Sequence, residues 1–317
     1  MFKKLLSIGP LFIVIAAVMW SLDGLLRGNL VEVYKLPPII IVFWEHCIGL
    51  LLILPWLWGR KSELKNLSPK EWIAIILVAL FSSTLGNLFY TQSLSKVFGP
   101  PFVPFSVVVL LQQTQPIWGI IAAALLLKEK ITWKFSGLAI LAILGAYLIS
   151  FKDLSAVTFS LDNAYFITGG LALLAAISWG AGTAFSKCVL NKVSFMVAVG
   201  LRFSLAIIFS VIIAGFLGQW SQFALTSFGQ FQNLIYITLL TGVTAMMLYY
   251  YGLKQTPSRV SSIAELAWPA SALIIDILTG KQFSSTQILG IAILLLSTLI
   301  IAYTQKDKKF EIPVLES

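Results

Sequence analysis

A chain of 317 residues could hold two ordinary soluble domains, yet 58% of it is hydrophobic, only 11% is charged and its mean hydropathy is +0.92. That leaves too little polar surface to cover a water-soluble core, so the predicted class is an all-α integral membrane protein. A formal net charge of +9 does not point to nucleic acid, because Lys and Arg stand singly or in small groups between apolar runs, where membrane topology accounts for them.

A bilayer core takes about 20 apolar residues per helix. The first such run, near 8–27, follows Lys3 and Lys4 in the manner of a secretory signal. Ala16-Ala17-Val18 makes a poor cleavage site and the apolar sequence continues to Leu26, so a retained first span is predicted. Further spans are predicted near 37–58, 71–94, 101–127, 133–151, 164–187, 194–217, 231–253, 257–280 and 284–304, ten in all. With the N-terminus inside, 16 of the 22 Lys and Arg fall on inner segments. Arg27, Lys35, Lys96, Lys152 and Lys281 fall outside, and Arg202 lies within a span. The positive-inside rule therefore predicts a multi-pass protein of the inner or plasma membrane with both termini cytoplasmic. Residues 1–152 form a first five-helix unit, 153–163 an outer linker, 164–305 a second unit and 306–317 a cytoplasmic tail.

The two halves echo each other. Ala16-Ala17-Val18-Met19-Trp20-Ser21 in span one matches Ala175-Ala176-Ile177-Ser178-Trp179-Gly180 in span six at a separation of 159. The aromatic ends of spans three and eight, Leu88 to Leu94 and Leu248 to Leu253, keep that separation. Gln115-Pro116 and Trp268-Pro269, then Gly137 and Gly290, are 153 apart. One insertion, the Pro-rich stretch Gly99 to Pro104 of the first half, restores the register. Because each half has an odd number of spans, the repeat is predicted to be inverted, an architecture of alternating-access transporters with the substrate site at mid-depth.

On these residues, with Leu127-Lys128-Glu129-Lys130 closing span four, the chain resembles the drug/metabolite transporter superfamily in its ten-span EamA-type form. The resemblance implies efflux of a small metabolite and leaves the substrate open. The chain departs from the family pattern at Glu45-His46, where Arg202-Phe203 keeps an Arg-Phe pair in the second half, and at Gln282.

Ionisable groups within spans are expensive and therefore candidates for function. Glu45 and Arg202 reach mid-depth from opposite faces, and an ion pair between them, mechanistic or merely fixing helix register, is the first expectation. Glu265 is a candidate for substrate or proton binding. Its repeat counterpart Gln112 belongs to a costly polar cluster with Gln115. Pro116 and Pro269 remove backbone hydrogen bonds and are candidate hinges. Trp20, Tyr90, Trp179, Tyr250 and Trp268 recur in both halves and can line a cavity or pack helices. Asp23 and Arg27 read as an i, i+4 pair at the outer end of span one. His46 reads as a helix-packing group or a proton relay, and Asp276 as a weaker candidate still.

Cys47 and Cys188 sit in apolar segments, and no metal site or cofactor is expected. The predicted function is a secondary transporter, an exporter of a small polar or zwitterionic, amino-acid-like metabolite. Proton coupling, exchange and facilitated diffusion stay open, as do a monomer or a homodimer. Its partners are the substrate, the lipid bilayer and protons if coupled, with no nucleic acid. An intramembrane enzyme or a channel is the alternative; paired Asp residues, a serine partner and a selectivity loop are all missing from the sequence.

Overall fold

The computed structural model describes residues 8–127, 131–150, 163–190, 192–256 and 264–304. Among them the chain is helical without a β-strand. Seven helices are long and apolar enough to cross a membrane, and Trp133–Ile149, Ala267–Leu278 and Ser285–Ile301 are shorter apolar helices. Most of the linker expected at 153–163, the tail from 306, Pro257 and the basic group at 128–130 lie outside the described residues.

Helix α1 (Ile8–Glu32) runs five residues past the predicted end at 27. Helix α2 (Pro38–Gly59) begins with Pro at the position where its missing N–H costs nothing. The third segment starts at α3 (Pro69–Val78), behind a Ser68/Glu71 capping box, and winds into a π-helical stretch at Ala79–Gly86. There the Thr84 hydroxyl donates to the Ala79 carbonyl, five residues back, at 2.9 Å. The segment continues as α4 (Asn87–Ser93) and α5 (Ser95–Phe98).

The fourth segment is not one helix. It divides into α6 (Phe105–Gln112) and α7 (Gln115–Leu127) at a turn immediately before Pro116. Pro116 has no N–H to give the Gln112 carbonyl, and its ring crowds that carbonyl. Helix α8 (Trp133–Ser150) completes the half.

The second half follows the same plan: α9 (Ala164–Leu190), α10 (Phe195–Phe216), α11 (Phe228–Tyr236), a π-helical stretch at Ile237–Thr244, and α12 (Ala245–Gln255). Both π stretches are 8 residues long and lie at equivalent places in the repeat. A second break falls at Leu266, before Pro269 of α13 (Ala267–Leu278), as the first falls before Pro116. Helix α14 (Ser285–Thr304) packs on α8 backbone to backbone, where a Cβ on Gly290 would stand 2.8 Å from the Gly145 carbonyl oxygen. Small residues at such a crossing let two helices gain dispersion contacts that larger ones would block.

Two connections are tied across the sequence. Asp276 on α13 accepts the backbone N–H groups of Phe105 and Ser106 at 2.8 and 2.6 Å, so it caps the N-terminus of α6. Glu63, in a short 3-10 turn at Lys61–Asn66, accepts the N–H of Ser194 at 2.6 Å, just before α10.

Candidate functional site

Residues from both halves meet around α1, α2, α9 and the two π stretches. The main electrostatic feature is a triad of two partly buried carboxylates around a buried arginine. Arg27 Nε donates to Asp23 Oδ2 at 2.6 Å and Arg27 Nη2 donates to Glu45 Oε1 at 2.8 Å. Its Nη1 reaches the Thr91 hydroxyl at 3.4 Å, and the guanidinium lies 5.8 Å from the centre of the Tyr90 ring. Asp23 Oδ1 accepts from the Thr241 hydroxyl, in the second π stretch, at 2.7 Å. The triad thus joins α1, α2, α4 and the eighth segment of the other half.

This corrects the partner expected for Glu45. Glu45 takes its ion pair from Arg27, while Arg202 Nε donates to the Ser83 hydroxyl at 2.8 Å, in the first π stretch. The expected i, i+4 pair of Asp23 and Arg27 forms, with Arg27 at only 5% side-chain exposure and bonded to Glu45 as well. Arg27 lies five residues inside the end of α1 at Glu32, on a buried part of the helix that meets α2 at Glu45. His46 is buried, its Nδ1 on the Val42 carbonyl at 2.7 Å and its ring against Phe203, as a helix-packing group would be.

The aromatic residues form two matched pairs. Trp20 packs on Tyr249 with ring centres 5.2 Å apart and planes at 53°. Trp179 packs on Tyr90 at 5.7 Å and 56°. Trp20 and Trp179 are 159 residues apart, and so are Tyr90 and Tyr249. Each pair therefore joins one half to the other, and the repeat exchanges one pair with the other. Trp268 extends the first pair, 5.9 Å from Trp20, while its carbonyl accepts from the Ser21 hydroxyl. The Trp179 indole donates to the Ser82 carbonyl at 3.0 Å.

Tyr250 was expected here, but its side chain lies outside the described residues, and Tyr249 is the one at the site. The separation of 159, applied strictly to Tyr90, already points to Tyr249.

Glu265 Oε1 accepts from the Tyr249 hydroxyl at 2.6 Å, beside the first pair. Their counterparts in the repeat, Tyr90 and Gln112, have no such bond. The Tyr90 hydroxyl and both polar atoms of Gln112 are buried and unpartnered, as are Glu45 Oε2 and the Trp268 indole nitrogen. Gln115 is half-buried, Pro116 exposed and Pro269 buried. Among the described residues no group of His, Cys, Asp and Glu is placed to hold a metal ion.

The chain matches the EamA-like transporter family over residues 7–151 and 167–303, one match for each half. It is 33% identical over 298 residues to the riboflavin transporter ImpX of Fusobacterium nucleatum, covering 93% of this chain and 97% of that one. It is 26% identical to the uncharacterized transporter YwfM of Bacillus subtilis, with 96% of each chain covered. A crystal structure with 15% sequence identity superposes at a TM-score of 0.57 over 96% of this chain and 98% of that one, a likeness of fold alone.

Proposed function

This chain belongs to the EamA-like transporter family, and from that premise we propose that it is a ten-span secondary transporter working by alternating access between two inverted five-helix halves. The substrate we propose is riboflavin or a neutral planar heterocycle of that class. The observation that carries this reading is the pair of symmetry-exchanged aromatic contacts, Trp20 with Tyr249 and Trp179 with Tyr90, at the junction of the halves. Such faces suit a flat ring, whose transfer from water they favour and whose stacking they orient. The 33% identity to a chain named as a riboflavin transporter supports the same class.

The triad bears on the substrate's charge. Asp23 and Glu45 are already bonded to Arg27, so these charges serve one another rather than an ammonium or a carboxylate from outside. That favours a neutral, hydrogen-bonding solute over the amino-acid-like zwitterion first expected. Glu265 is bonded to a neutral hydroxyl. A carboxylate in such a setting can take up and release a proton as the protein changes state, and it is our candidate for coupling. Pro116 and Pro269 break equivalent helices beside Gln112 and Glu265, which suits them as hinges.

Purified protein reconstituted in liposomes, offered riboflavin and a panel of amino acids with and without a pH gradient, tests the reading. Riboflavin flux that free substrate saturates is expected, and release from loaded vesicles against entry into empty ones reads the direction. Saturable flux of an amino acid with none of riboflavin would overturn the substrate. Glu265→Gln is expected to abolish any stimulation by the pH gradient while leaving riboflavin exchange; persistence of that stimulation removes Glu265 from coupling.

A further inference from the structure

The repeat makes Tyr249 and Glu265 the counterparts of Tyr90 and Gln112, at separations of 159 and 153. In one half the two groups are bonded to each other at 2.6 Å. In the other, the Tyr90 hydroxyl and the whole Gln112 amide have no partner, although Tyr90 is 4% and Gln112 1% exposed. A primary amide offers two donors and two acceptor lone pairs. A buried one with none of them used is unfavourable by itself and becomes favourable only when something brings matching groups.

The surroundings say what kind of molecule that is. Tyr90 and the residue beside Gln112, Leu111, belong to one apolar cluster against which Trp179 packs. The Trp179 indole N–H is already spent on Ser82, so its ring remains to stack rather than to donate. The substrate part that fits is a flat ring with a polar edge. A side-chain amide reads such an edge two bonds at a time, as Gln reads a base.

We propose that Gln112 and Tyr90 recognise the imide edge of the substrate ring, a ring N–H flanked by two carbonyls. Gln112 Oε1 accepts the ring N–H, Gln112 Nε2 donates to one flanking carbonyl and the Tyr90 hydroxyl donates to the other. The isoalloxazine of riboflavin carries this edge, so the assignment rests on the substrate class proposed above and names the residues that select within it. It also gives the two halves different tasks. The Gln112 half reads the substrate and the Glu265 half carries the ionisable group.

Binding to the full-length protein in detergent, followed by quenching of flavin fluorescence, tests this with two ligands, riboflavin and its N3-methyl derivative, in which the ring N–H is gone. The wild type is expected to bind the methylated flavin at least about tenfold more weakly, because it leaves the amide oxygen unpaired. Gln112→Met keeps the side chain's length without its polar atoms. It is expected to lose about tenfold in riboflavin affinity, to bind the methylated flavin as the wild type does, and to melt no lower than the wild type.

Tyr90→Phe, which loses only a hydroxyl, is expected to weaken both flavins alike. Equal wild-type affinity for the two flavins overturns the assignment, as does a Gln112→Met protein that keeps the full discrimination, which would mean a steric effect of the methyl group. Failure of the wild type to bind either flavin overturns the substrate class instead, and the assignment with it.

Discussion

Arg27 shows how far a residue's worth depends on where the fold puts it. As an exposed i, i+4 partner of Asp23 it would contribute a few tenths of a kcal/mol. Buried between Asp23 and Glu45, it is the cation that makes two carboxylates tolerable in one place. Removing one member of such a buried set costs about 3–5 kcal/mol, because the remaining charges are left uncompensated. Arg27→Met should therefore lower the melting temperature strongly in a detergent unfolding scan. Adding Asp23→Asn and Glu45→Gln should recover most of the loss. A single Arg27→Met protein as stable as the wild type would mean that water, not the arginine, solvates the two acids.

At the scale of helices, the irregular places carry side-chain bonds between the two halves. The π stretches present Ser82 and Ser83 to α9 and α10, and Thr241 to α1, through bonds that a uniform α-helix would aim elsewhere. Replacing Pro116 by Ala restores a donor for the Gln112 carbonyl and should let α6 and α7 merge. We expect Pro116→Ala to keep substrate affinity and slow transport, measured as flux at saturating substrate. The α8–α14 crossing allows a cleaner structural test. A side chain at Gly290 meets the Gly145 backbone, which cannot rotate away, so Gly290→Leu should destabilise by at least about 1–3 kcal/mol through overpacking.

For the whole molecule, one pH effect lies outside the spans. Partial burial pushes the Glu63 carboxyl up, but the Ser194 N–H and the Arg60 guanidinium outweigh it and hold Glu63 below its ordinary value. A depressed carboxyl contributes stability above the ordinary carboxylate range and loses it as pH falls through the native value. The link between the first half's 3-10 turn and the start of α10 should thus weaken in acid, from about pH 4.3 downward. Glu63→Gln should flatten the acid limb of a plot of melting temperature against pH, and an unchanged limb would assign that limb to other groups.

Composition placed the chain in a bilayer, because so few polar residues leave little surface suited to water, and apolar runs of about 20 residues made its spans helical. The order of small motifs determined the repeat, since Trp20 with Trp179 and Gln112 with Glu265 keep their spacing however the helices are packed. That same spacing identified Tyr249, had it been applied without exception. Which side chains touch was decided only in three dimensions. Glu45 meets Arg27 because the packing of α1 against α2 brings them together, and that packing is not encoded in the spacing of charges along the chain. The unpartnered state of Tyr90 and Gln112 was likewise invisible in sequence, because satisfaction of a buried polar group is a property of its neighbours in space.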